Sequence, residues 1–298
     1  MTIFKRRSSK ENFFLLLPAS VFIAIFSLYP ILRGIYNGFT NYKIGEPVEF
    51  NGFENYIQLI KNGYFLVSLK NSLIITFGAL LLTYFLSLIL ALILQSKIPC
   101  RMLFRSLIII PWAIPPIVKI SVWSLILSSN SGHLNYILKS LGLIKNYVGW
   151  YTDPKRATIS VVIVIVWGCI PFMTIALLAG LQTIPKDNYE AASVDGASFV
   201  GKIRYITLPH LLKVTAVATS LLFIWIMNDF VSQYLLTAGG PGATTLTLTS
   251  EAYRQGFQFG DFGYGSAYGN LLILLISIIL IIYFRVMGVK SLREGGTV

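Results

Sequence analysis

Six long apolar runs divide this chain, each about the length a helix needs to cross roughly 30 Å of hydrocarbon. They are Phe13 to Leu32, Ser72 to Leu94, Leu107 to Leu127, Ala157 to Leu181, Val214 to Leu236 and Tyr268 to Met287. None alternates in polarity and none is as short as a barrel strand, so the pattern predicts an all-α integral membrane bundle of six transmembrane helices. The first run follows Lys5, Arg6, Arg7 and Lys10 as the apolar part of a signal peptide would. It is long, however, and ends Tyr29-Pro30-Ile31-Leu32 with no small-residue cleavage site, so it is read as a retained span. The expected organisation is a tail over 1–12, a membrane domain over 13–289 and a second tail over 290–298.

Composition agrees with this pattern. A mean hydropathy of +0.71 with only 12% charged residues lies far from a soluble globular domain. The net charge of +12 is explained by topology. With the N-terminus inside, fourteen Lys and Arg fall on the inner side and nine on the outer, and the inner excess is densest between Gln95 and Ser106. The positive-inside rule then places both termini in the cytoplasm. The basic residues flank spans and form no aromatic-interleaved face, which argues against nucleic acid. Cys100, Cys169, His133 and His210 are scattered, so neither a disulfide nor a metal site is expected.

The expected outer loops, Arg33 to Asn71, Ser128 to Arg156 and Thr237 to Ala267, carry aromatics such as Tyr56 and Trp150 and read as ordered. The inner loop from Gln182 to Lys213 differs in kind. Pro185 opens it, and Asp187 to Phe199 has the pattern of a helix: Asp187 and Glu190 early, where acidic groups suit the positive helix end, and small residues Ala191, Ala192, Gly196 and Ala197 at turn spacing. Pro209 is expected to close the loop. Taken alone, these residues fit an ordinary connector and a docking surface equally well. Gly196 to Lys202 matches the first seven positions of a phosphate-binding loop, but Ile203 stands where Ser or Thr would bind magnesium and no strand precedes it.

The spacing Glu190-Ala191-Ala192, three residues, Gly196, nine residues, then Ile206-x-Leu208-Pro209 resembles the signature loop of permease subunits of binding-protein-dependent ABC importers. Pro111-Trp-Ala-Ile-Pro115, Gly132-His-Leu-Asn135, Ala179-Gly180-Leu181 and Leu236-Thr-Ala-Gly-Gly-Pro241 resemble the carbohydrate branch, and the last points to the maltose-permease-like member of the usual pair. The resemblance implies the type I permease fold and a coupling helix docked in an ATPase cleft through Glu190, Ala191, Ala192 and Gly196, with Asp195 at the rim. It implies as partners a second homologous permease, two copies of a cytoplasmic ATPase, an extracytoplasmic solute-binding protein and a carbohydrate, in the bacterial plasma membrane. ATP and Mg would sit on the ATPase, and this chain would bind no cofactor and act as no enzyme. By the same resemblance, Gly168, Cys169, Phe172, Trp225, Ile226, Asp229 and Val231 face the sugar, with Asn228 adjacent.

Lys119 and Asp229 are the only charges well inside the expected spans, and each costs about 2.5–3.5 kcal/mol at a helix centre if unpaired. Counted along straight helices at 1.5 Å per residue they lie at similar depth, roughly 18 and 22 Å from the inner ends, and are within reach of each other. Two readings follow: an ion pair that fixes packing, or an Asp229 that accepts sugar hydroxyls in the cavity. A further alternative is that an unpaired Lys119 favours an anionic saccharide such as a uronate or sugar phosphate. A secondary sugar transporter is the less favoured class, since no fixed-period repeat is evident and Asp229 is a lone carboxylate. A membrane enzyme lacks clustered catalytic side chains, and a channel gives no reason for the coupling loop.

Overall fold

The computed structural model describes residues 9–96 and 98–288, with side chains from residue 16 onward. Lys5, Arg6, Arg7, Lys97, Lys290, Arg293 and the expected tail 290–298 lie outside the described residues, as does most of 1–12. The described residues form helices α1 (Ser9–Ile23), α2 (Tyr29–Asn37), α3 (Glu54–Lys61), α4 (Gly63–Gln95), α5 (Arg101–Ala113), α6 (Pro116–Ile126) and α7 (His133–Ser140). There follow α8 (Pro154–Gln182), α9 (Lys186–Val194), α10 (Phe199–Lys202), α11 (Leu208–Met227), α12 (Val231–Thr237), α13 (Leu248–Tyr253) and α14 (Phe262–Val286). Among the described residues the only β pairing is two isolated bridges, Thr40 with Phe50 and Lys43 with Asp261.

Proline explains where the helices depart from the apolar runs. The expected third span is not one helix: α5 and α6 meet at an elbow of 97°. A residue before proline is pushed out of the helical region by the ring, and Ile114 and Pro115, preceding Pro115 and Pro116, are both extended at ψ 127° and 137°. Two other prolines are absorbed instead. Five-residue wide turns, Ala24–Leu28 and Ile203–Thr207, come immediately before Tyr29-Pro30 and Leu208-Pro209. The bulge relieves the clash of the ring with the preceding turn, so the helix continues. Pro209 therefore does not close the inner loop as expected; it lies in the first turn of α11.

The chain divides into two compact units. The first comprises residues 1–62 and 251–273. Its α1 and α2 bury none of their apolar window in this chain. Asn55 closes the segment after α2 by donating to the carbonyls of Gly38 (3.0 Å) and Thr40 (2.8 Å). Glu251 is fully buried here, its Oε1 accepting from Arg254 at 3.0 Å and Gln255 at 2.7 Å.

The second unit comprises 63–250 and 274–298, and α8 is its centre: 56% of its apolar window is buried, twice the share of α4. One stripe of α4, Ser72, Ala79, Thr83, Ser87 and Ala91, is small and buried, which lets the backbones approach as membrane helices require. Ser87 Oγ donates to the Ile170 carbonyl of α8 at 3.2 Å. The expected outer loop 128–156 is ordered by Asn135. Its amide donates to the carbonyls of Ser128 (3.1 Å) and Val148 (2.9 Å) and accepts from the Val148 amide (3.1 Å) and Trp150 Nε1 (3.0 Å). Asn135→Ala leaves these groups without their partner in a buried site, an expected loss of about 2 kcal/mol in local stability. Faster amide hydrogen exchange over 128–150, with α8 unchanged, is the measurement that checks it.

Candidate functional site

Two regions of the second unit bring the expected functional residues together. The first is the segment after α8. Helix α9 carries Glu190, Ala191 and Ala192, but it ends at Val194, short of the expected Phe199. The stop is a Schellman motif: the Gly196 amide bonds the Ser193 carbonyl at 3.1 Å and the Ala197 amide bonds that of Ala192 at 2.8 Å. This needs a left-handed residue, and Gly196 supplies it at φ +72°. Nothing lies near its missing side chain, so its requirement is conformational. Ser198 then caps α10 through the Gly201 amide at 3.1 Å.

Side chains fasten the hairpin. Tyr189 Oη and Thr207 Oγ1 bond at 2.9 Å, and Lys202 Nζ donates to Ser193 Oγ at 2.7 Å. Lys202, the lysine of the phosphate-loop likeness, is thus held within the hairpin. Glu190, Ala191, Asp195 and Gly196 are exposed, and Ala192 is half-buried. Beside them stand apolar residues that the sequence reading passed over: Val194 is 88% exposed, Phe199 and Tyr205 73%. Their signal was apolar character inside an otherwise polar loop.

The second region is a cavity of about 300 Å³ where two broken spans converge on the centre of α8. One break is the α5–α6 elbow. The other is new: the expected fifth span is interrupted at residues 228–230, between α11 and α12. Asp229 sits in that break and accepts from the Ser232 amide at 2.9 Å, capping α12. Helix α12 is anchored in turn by buried Gln233, which accepts from Thr247 (2.7 Å) and Ser250 (2.5 Å) and donates to the Thr245 carbonyl.

Lys119, Gly168, Cys169, Phe172, Trp225, Ile226, Asp229 and Val231 all line this cavity. Asn228 does not: it is exposed, and its amide donates to the Ile224 carbonyl of its own helix at 2.8 Å. Trp112, Pro116 and Ser232 also line it. They escaped sequence reasoning because the elbow that turns Trp112 and Pro116 inward is invisible in a straight-helix count. Phe172 and Trp225 meet at 4.8 Å between ring centroids. Trp123 and Trp167 instead pack edge to face on each other.

Of the two readings for Lys119 and Asp229, the ion pair is absent: no contact within 4.0 Å joins them. Lys119 is on α6 beyond the elbow, so its depth along a straight helix was not a valid measure. Its ammonium lies over Gly168, the central residue of α8, where a methyl group would stand 2.9 Å from Nζ.

With this geometry in hand, comparison with known proteins is specific. The family model of the binding-protein-dependent transport system inner membrane component matches residues 83–293. The trehalose/maltose transport system permease protein MalF of Thermococcus litoralis is 35% identical over 283 residues, covering 95% of both chains. The sulfoquinovosyl glycerol transport system permease protein SmoG of Agrobacterium fabrum is 32% identical over 279 residues, covering 93% of this chain and 90% of its own. A chain in the crystal structure of a bacterial ABC transporter involved in the import of the acidic polysaccharide alginate shares the fold at a TM-score of 0.81, with 23% identity, over 94% of this chain and 96% of that one.

Proposed function

The chain belongs to the family of binding-protein-dependent transport system inner membrane components, and from that premise we propose that it is the permease subunit of an ATP-driven importer for a sugar or oligosaccharide. The carbohydrate cargo is supported by relatives named for trehalose and maltose, sulfoquinovosyl glycerol and arabinooligosaccharides. The partners are those of an ABC importer: a second permease that completes the path, two ATPase copies at the cytoplasmic face and a solute-binding protein outside. ATP and Mg belong to the ATPase, which performs the hydrolysis.

One observation carries this reading: the helical stretch that begins just after the docking surface runs on to the cavity. From Phe199 to Thr237 the chain forms one long helical stretch, through the wide turn and past Pro209, with a break only at Asp229. From Phe199 to Trp225 is roughly 39 Å at 1.5 Å per residue. ATPase closure around Glu190 to Gly196 therefore moves α10 and α11 together, as one element, and with them Trp225 and Ile226 in the cavity wall. The break at 228–230 lets α12 and its cap follow separately. ATPase closure turns the bundle from inward-facing to outward-facing, where the binding protein delivers the sugar to the cavity, and the return turns it to the cytoplasm.

The experiment is purification of the tagged chain from its native membrane. A co-purifying ATPase whose hydrolysis rises when liganded binding protein is added is the expected result. Sugar uptake driven by an ion gradient with no ATPase present would instead establish a secondary transporter.

A further inference from the structure

We infer, resting on the importer reading above, that the saccharide is acidic and that the Lys119–Gly168 pair forms its anion subsite. The cavity holds one cation and one anion, set apart. Asp229 already uses one oxygen on the Ser232 amide at 2.9 Å and offers the other to hydroxyls. The Lys119 ammonium has three donors and, among the described residues, neither a hydrogen bond nor an ion pair. Asp229 and Ser232 are the oxygen-bearing side chains of the lining, and neither bonds the ammonium, so the acceptor it lacks comes with the ligand.

Gly168 makes this placement possible. Any side chain there would displace the ammonium, since even a Cβ would stand 2.9 Å from Nζ. A saccharide carrying a carboxylate, sulfonate or phosphate fits the set: its anionic group meets Lys119, its hydroxyls meet Asp229, and its ring lies against Trp225. A neutral sugar offers hydroxyl acceptors but no counter-charge, so it leaves the ammonium's charge unneutralised in a largely apolar wall.

The test uses the full importer, with its ATPase and cognate binding protein, in lipid vesicles. Uptake is compared for a hexuronate disaccharide, a hexose phosphate and the matching neutral disaccharide, and the readout is the ratio of anionic to neutral uptake in the same vesicles. The wild type is expected to prefer one of the anions. Lys119→Met is expected to lower that ratio roughly tenfold, and Lys119→Arg to keep most of it. Preference of the wild type for the neutral sugar overturns the inference. So does an equal fall of both cargoes in Lys119→Met, which would assign the ammonium to a carboxylate of the second permease. Failure of every saccharide to stimulate hydrolysis in an assembly that does contain the ATPase overturns the sugar reading itself.

Discussion

Gly196→Val lowers sugar uptake on the order of a hundredfold, because two losses combine at one position. A β-branched residue held near φ +72° carries strain of about 1–3 kcal/mol. Release of that strain breaks the two amide bonds that end α9, each contributing about 0.5–1.5 kcal/mol. Helix α9 then no longer stops at Val194, and the exposed face of Glu190, Ala191 and Asp195 loses its fixed angle to α10. Gly196→Ala is the graded control, with a smaller penalty, and Gly196→Asn smaller still, since Asn tolerates the left-handed region. Transport and ATPase co-purification are measured together. An unchanged uptake rate in Gly196→Val would show that the turn does not set the docking geometry.

Asp229→Ala has an effect of similar size at the other end of α11. It removes the cap on the Ser232 amide, about 1 kcal/mol. On the function proposed above it also removes a charged acceptor for sugar hydroxyls, with bonds of about 1.5–3 kcal/mol. The two roles separate in Asp229→Asn, which keeps a capping oxygen but not the charge. Uptake is expected to fall on the order of a hundredfold in the alanine variant and about tenfold in the asparagine variant. The apparent affinity for sugar in ATPase stimulation is the measurement. Equal behaviour of the two variants would reduce Asp229 to its charge alone, and full activity of Asp229→Asn would reduce it to a cap.

Glu251, in a segment expected to be an outer loop, is buried completely and receives Arg254 and Gln255. Periodicity gave no hint of this, because burial of a loop residue depends on segments distant in the chain. The polar stripe of α4 was equally silent: Ser72 and Ser87 look like defects in an apolar run until the Leu248 amide bonds Ser72 Oγ at 3.0 Å and Ser87 Oγ bonds the Ile170 carbonyl of α8 at 3.2 Å.

What the sequence alone determined is what local chemistry and length dictate. Runs of about 20 apolar residues in a medium without water must satisfy their own backbone, so helices were required. The signature spacing from Glu190 to Pro209 pointed to the family to which the chain belongs, and the residues grouped as substrate-facing by resemblance, Asn228 apart, line one cavity. Tertiary structure decided the rest. Three prolines in the third run, Pro111, Pro115 and Pro116, look alike on paper, yet Pro111 lies inside α5 while the Ile114-Pro115-Pro116 stretch becomes a 97° elbow. Pro209 reads as a stop and is instead accommodated by a wide turn. The separation of Lys119 from Asp229 follows from that elbow and from the break at 228–230. Depth counted along a chain is a one-dimensional quantity, whereas the meeting of two charges depends on the directions of the helices that carry them.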